Sequence, residues 1–167
     1  FELYGDEVSP ADDDAIAQLE KALGYAVHPE IAAMWRRGFT STTGTMEHDS
    51  FVALGRDFTS PEIALRDLGN LRDIAKQQEE QDAPEPGTPA AEFVRLAREG
   101  FAISFENPVL ASDASGAIFL LNYKDCDARK VGETLSEHLA AWVAAGAFSQ
   151  IDDAEGQAAL LEAIRPH

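Results

Sequence analysis

The chain has 167 residues, 45% of them hydrophobic, enough to bury one sizeable core. Its 13 Lys and Arg stand against 30 Asp and Glu, a net charge of −17 that repels the phosphates a nucleic-acid binder must neutralise. No run reaches the roughly 18 apolar residues of a membrane span, and the single cysteine, Cys126, excludes an internal disulfide and a cysteine-based zinc site.

Asp12, Asp13 and Asp14 suit a helix start, where free N–H groups and the positive dipole end favour carboxylates. Ile16, Leu19 and Leu23 then repeat at helical spacing, and Gly24 follows as a left-handed cap. Pro29 opens a second helix with a face of Ile31, Met34 and Trp35, so the two helices pack as a hairpin. Thr40 to Asp49 reads as a polar loop, and Phe51, Val52 and Leu54 as a short strand ending near Gly55. Ser60-Pro61 starts a helix carrying Ile63, Leu65, Leu68, Leu71 and Ile74, with a break or kink expected at Gly69-Asn70 and a fade through Gln77 to Asp82. Ala83 to Pro89, with three prolines and a glycine, is a surface loop of insertion character.

A helix from Pro89 buries Phe93, Leu96 and Ala97 and closes at Gly100. Phe101 to Phe105 alternates like a half-buried strand, Val109-Leu110 is a candidate partner, and Ser112 to Gly116 is turn chemistry. Ala117 to Tyr123 is apolar enough for a sheet centre, with Asp125-Cys126-Asp127 as the next turn. Thr134 or Ser136 caps a helix with Leu135, Leu139, Trp142 and Val143 buried and Gly146 past its end; Asp152 or Asp153 caps a last one with Leu160, Leu161 and Ile164.

Two stretches carry a resemblance. One is Ile16-x-x-Leu19-Glu20-x-x-Leu23-Gly24-Tyr25 followed by Pro29-Glu30 and an aromatic helix. The other is Val109 to Gly116 followed by an apolar strand, with the closing helix Thr134 to Ala145. Over residues 13–148 the chain resembles the SUKH superfamily, with His28-Pro29 in place of the family's Leu-Pro and Arg37-Gly38 in place of Asn-Gly. The resemblance implies one α+β domain: a mixed or antiparallel sheet flanked by an N-terminal helix pair and C-terminal helices, with a helical extension at 149–167. It also implies a non-enzymatic role. Bacterial members are mostly immunity proteins that neutralise a cognate toxin, and others are scaffolding or regulatory modules.

Charge points the same way, because an acidic inhibitor can occupy the basic site of a toxin that acts on nucleic acid. The expected partner is therefore a basic toxin or effector, with no direct nucleic acid and no membrane; the alternative is an intracellular scaffold of the same fold. The candidate contacts are acids expected to be exposed in loops: Glu47, Asp49, Glu79, Glu80, Asp82, Asp113, Asp125 and Asp127.

Catalytic readings find little footing. His28, His48, His138 and His167 are scattered, and the adjacent residues of Glu47-His48-Asp49 cannot all face one metal in regular structure. Two neighbouring carboxylates would raise the Cys126 pKa, opposing a nucleophilic role. The glycines form no phosphate loop. No catalytic residue, metal or cofactor is expected. Without a basic segment leading into an apolar run, and with a thiol suited to a reducing compartment, a cytoplasmic location is expected.

Overall fold

The computed structural model describes residues 12–37, 52–53, 56–104 and 108–144. The expected helix pair forms as α1 (Asp13–Leu23) and α2 (Pro29–Arg36). The Asp12 carboxylate accepts from the Ala15 N–H at 2.7 Å, and Gly24 adopts φ 82° while its N–H closes on Glu20 O. At α2 the cap is His28, whose Nδ1 accepts from Glu30 N–H at 3.3 Å, with Pro29 in the first turn. Ile16, Leu19, Ile31, Met34 and Trp35 are all buried, so both apolar stripes face inward.

Strands β1 (Val52–Ala53) and β2 (Arg56–Asp57) make a two-residue antiparallel ladder; Phe51, Leu54 and Gly55 of the expected strand lie outside the described residues. Helix α3 (Pro61–Asp82) starts as expected, with Ser60 Oγ accepting from Ile63 N–H. It differs from expectation twice. The helix passes through Gly69-Asn70 unbroken, because both residues are exposed and a helical glycine costs only about 1 kcal/mol. It also continues through Gln77–Asp82, since Gln, Glu and Lys are good helix formers. It stops at Ala83, whose ψ of 116° is the extended conformation required before Pro84.

Helix α4 (Pro89–Glu99) is capped by Thr88 Oγ1 on Ala91 N–H. It ends at Gly100, which is extended rather than left-handed. A Cβ there would meet Ser112 O at 2.6 Å, so glycine serves close approach. Strands β3 (Phe101–Ala102), β4 (Val109–Ser112), β5 (Ile118–Asn122) and β6 (Asp127–Gly132) form an antiparallel sheet in sequence order. With helices flanking this sheet the fold is α+β.

The register divides the core between two faces. Val109 pairs with Leu121 and Ala111 with Phe119 on the face covered by Leu71, Phe93 and Leu96. Leu110 pairs with Leu120 on the other face, with Phe101, Ile103, Ile31 and Trp35. Both faces are covered, so Phe101 to Ser104 is wholly buried rather than half-buried as the alternation suggested, and Ser104 Oγ accepts from Leu110 N–H at 2.8 Å. Phe105 lies outside the described residues.

Strand β6 had no counterpart in the expectations; as an edge strand it buries only Ala128 and Gly132 and shows little hydrophobic pattern. Helix α5 (Leu135–Ala144) is capped by Thr134 Oγ1 on Glu137 N–H, and Leu135 and Leu139 are buried. The Trp142 and Val143 side chains, Gly146 and the expected last helix lie outside what is described.

Contacts from α2 and its cap fasten the helix pair to the rest. Trp35 Nε1 donates to Thr59 O at 2.7 Å, and Thr59 in turn donates from N to Ile103 O and from Oγ1 to Ala102 O. The Glu30 carboxylate accepts from both N and Oγ of Ser136, capping α5 from α2. His28 lies against Gly116, which turns the chain at φ 80°; a Cβ there would collide with the imidazole.

Two substitutions test these joints in urea denaturation. Trp35→Phe, which strands a buried carbonyl, is expected to lower stability by about 2 kcal/mol. Gly116→Ala combines an unfavourable φ with overpacking against His28 and is expected to cost about 2–3 kcal/mol.

Candidate functional site

The acidic candidates fall into separate groups. Glu79, Glu80 and Asp82 are exposed in the final turns of α3, in a helix rather than the expected loop. Glu79 pairs with Arg98 at 2.7 Å, and Glu80 approaches Lys76 at 4.0 Å. Glu85 continues the acidic surface into the following loop. Asp125 and Asp127 are exposed around the β5–β6 turn; that turn spans 123–126, so Asp127 begins β6 instead of ending the turn. Asp125 accepts from Asn122 Nδ2 at 3.0 Å. Glu47 and Asp49, with His48, lie outside the described residues.

Asp113 corrects the expectation of exposure. It is 8% exposed, and it sits at the β4–β5 turn, the opposite end of β5 from Asp125. Its Oδ1 accepts from Ser115 N–H, and its Oδ2 accepts from Arg95 Nη1 at 3.0 Å. A buried carboxylate this well satisfied serves the turn rather than a surface contact.

Arg95 is the hub of a charge network that the sequence reading missed. Besides Asp113 it engages Glu92 at 2.6 Å and Glu99 at 3.7 Å, while Arg98 bridges Glu79 and Glu99. The hydrogen bond from Arg95 lowers the Glu92 pKa, and Glu92, followed by Asp113, keeps Arg95 protonated. The i, i+3 and i, i+4 spacings of Glu92, Arg95 and Glu99 were visible in the sequence. The link to Asp113 was not, since it depends on α4 lying along the sheet.

Beside this network the C-terminus of α4 is held from two other elements. Tyr25 Oη donates to Glu99 O at 2.7 Å, and Arg72 Nη1 donates to Ala97 O and Gly100 O. A guanidinium suits the negative end of the dipole, although burial lowers its pKa. Burial also pushes Tyr25 and Tyr123 up to about 12, and raises Asp67 above the usual range.

Two grooves flank Arg95 and Arg98. One, of about 390 Å³, is bordered by Tyr25, Arg72, Glu99 and Asp113. The other, of about 500 Å³, runs between the start of α4 and β6. Cys126 is half-buried with φ 51°, its Sγ 3.6 Å from Tyr123 O. Among the described residues no group of three His, Cys, Asp or Glu is arranged to hold a metal ion, and no helix is long and apolar enough to cross a membrane. The chain matches no protein-family model, and neither the curated proteins nor the solved structures contain a match to it.

The tyrosines give a direct test. Their folded pKa lies above the unfolded value near 10, so the neutral form stabilises the fold below pH 10, and that contribution is lost as pH rises toward 12. Absorbance at 295 nm should show Tyr25 and Tyr123 ionising near pH 12 in the native protein and near pH 10 in urea, with stability falling between the two.

Proposed function

We propose that this chain is a non-enzymatic immunity protein that binds a cognate toxin of basic surface in the cytoplasm and occludes its active site. The observation that carries this reading is the acidic end of α3. Three carboxylates, Glu79, Glu80 and Asp82, occupy the last turns with no basic residue in the final turn. The helix dipole is negative there, so each carboxylate costs about 0.3–1 kcal/mol instead of stabilising the helix. Arg98 offsets part of this for Glu79. Glu80, Asp82 and Glu85 face solvent, where a cationic partner would relieve the repulsion and gain from electrostatic steering.

Because Asp113 is consumed internally, the reading rests on the α3 end, with Asp125 and Asp127 as a second acidic site at the β5–β6 turn. It also accords with the chain's −17 charge, which favours basic proteins and disfavours nucleic acid as a direct ligand.

The test uses the full chain as bait for proteins of its own organism. The expected capture is one basic toxin domain whose activity is lost at a one-to-one ratio. With that partner in hand, Glu80→Lys/Asp82→Lys should slow association about tenfold at low salt and flatten its salt dependence, while the unfolding midpoint stays the same or rises, because Lys suits the negative helix end. Equal association rates for the variant and the unmodified protein would remove the α3 end from the interface.

A further inference from the structure

The groove between α4 and β6 runs against the charge of the molecule. In a chain of net charge −17, four cations line it, Arg95, Arg98, Arg129 and Lys130, against one carboxylate, Glu92. These cations are unequally committed. Arg95 is held by Glu92 and Asp113, and Arg98 by Glu79. Lys130 meets Glu133 at 3.2 Å, but both side chains are largely exposed, at 48% and 68%, and such pairs exchange partners at little cost. Arg129 is exposed and forms no ion pair among the described residues.

Pro89 and Ala91 give the groove an apolar stretch of wall that solvent can reach. Phe119 and Ala128 also line it but are buried, and the Phe119 ring centre is 5.4 Å from the Arg95 guanidinium and 6.0 Å from Lys130 Nζ. The volume of about 500 Å³ suits a small molecule rather than a single ion.

We propose that this groove binds a small organic anion, a carboxylate or phosphate on a compact apolar body, with Arg129 and Lys130 contacting the head group. Inorganic anions are disfavoured because the excess negative charge of the protein repels them within the screening length of about 8 Å, and they gain nothing from an apolar surface. An organic anion offsets the repulsion by covering Pro89 and Ala91 on the α4 wall of the groove. The inference does not rest on the toxin reading, which would use charge of the opposite sign, although the two surfaces adjoin where Arg98 meets Glu79.

The experiment titrates the ¹⁵N-labelled full chain with phenyl phosphate, benzoate, benzyl alcohol and inorganic phosphate. Phenyl phosphate or benzoate is expected to shift the amides of Ala91, Glu92 and Ala128 to Lys130 saturably, and the tighter of the two identifies the head group. Benzyl alcohol and inorganic phosphate should bind at least about tenfold more weakly. Arg129→Glu/Lys130→Glu should weaken the organic anion about tenfold, because each exposed charge contributes some tenths of a kcal/mol and reversal doubles its effect. Should that variant unfold, Arg129→Gln/Lys130→Gln should still weaken binding about threefold. Shifts confined to other surfaces, unchanged affinity in a folded variant, or equal binding of benzyl alcohol or inorganic phosphate would overturn the proposal.

Discussion

Thr59 is the joint on which the arrangement of helices and sheet depends. It is fully buried, and its polar groups are tied in three directions: N–H to Ile103 O, Oγ1 to Ala102 O, and its carbonyl to the Trp35 indole. Its neighbours extend the joint. Phe58 bridges Ser104, and Ser60 caps α3. Leaving any of these buried groups unmatched costs more than a made bond contributes, so the bonds form together or the segment does not settle. The height of α2 against β3 and the starting point of α3 are therefore set by three consecutive residues.

A similar economy governs charge. Several cations of this acidic chain are spent on its own framework, with Arg72 capping α4 and Arg95 gathering Glu92 and Asp113. Among the described residues, exposed carboxylates gather at the start of α1, at the α3 end and around the β5–β6 turn. The α4–β6 groove departs from that pattern because Lys130 and Arg129 sit on an edge strand, where charged side chains also discourage pairing with another chain. Arg72, Arg95, Arg129 and Lys130 thus stand where a helix end, a buried carboxylate or a strand edge favours a cation.

Much of the fold was legible where a local chemical reason sufficed. Asp12, Ser60, Pro29 and Gly24 each do at a helix end what their side chain or backbone favours. Ala117 to Tyr123 is apolar because β5 is covered on both faces. Features set by distant neighbours were not legible. Strand β6 is specified by pairing with β5 rather than by its own pattern, and Asp113 looks like any turn aspartate until Arg95 comes over it. The same holds for the cationic groove: Arg98 and Lys130 are far apart in the chain, and only the packing of α4 on β6 joins them. Cap positions are local facts, whereas burial of a charge is a tertiary one.

The two ends of α4 differ in how much slack the chain has. The 83–88 connection before it is mostly exposed and carries two prolines and a glycine, so residues added there would project into solvent at a small cost in loop closure. After it there is no connection at all. Gly100 passes directly from the last turn into β3, close against Ser112 O, while Arg72 donates to its carbonyl and to that of Ala97. One inserted residue there would move Phe101 and Ala102 of β3 to the opposite faces of the sheet. Natural variation in chain length should therefore collect before α4, leaving the α4–β3 junction at constant length.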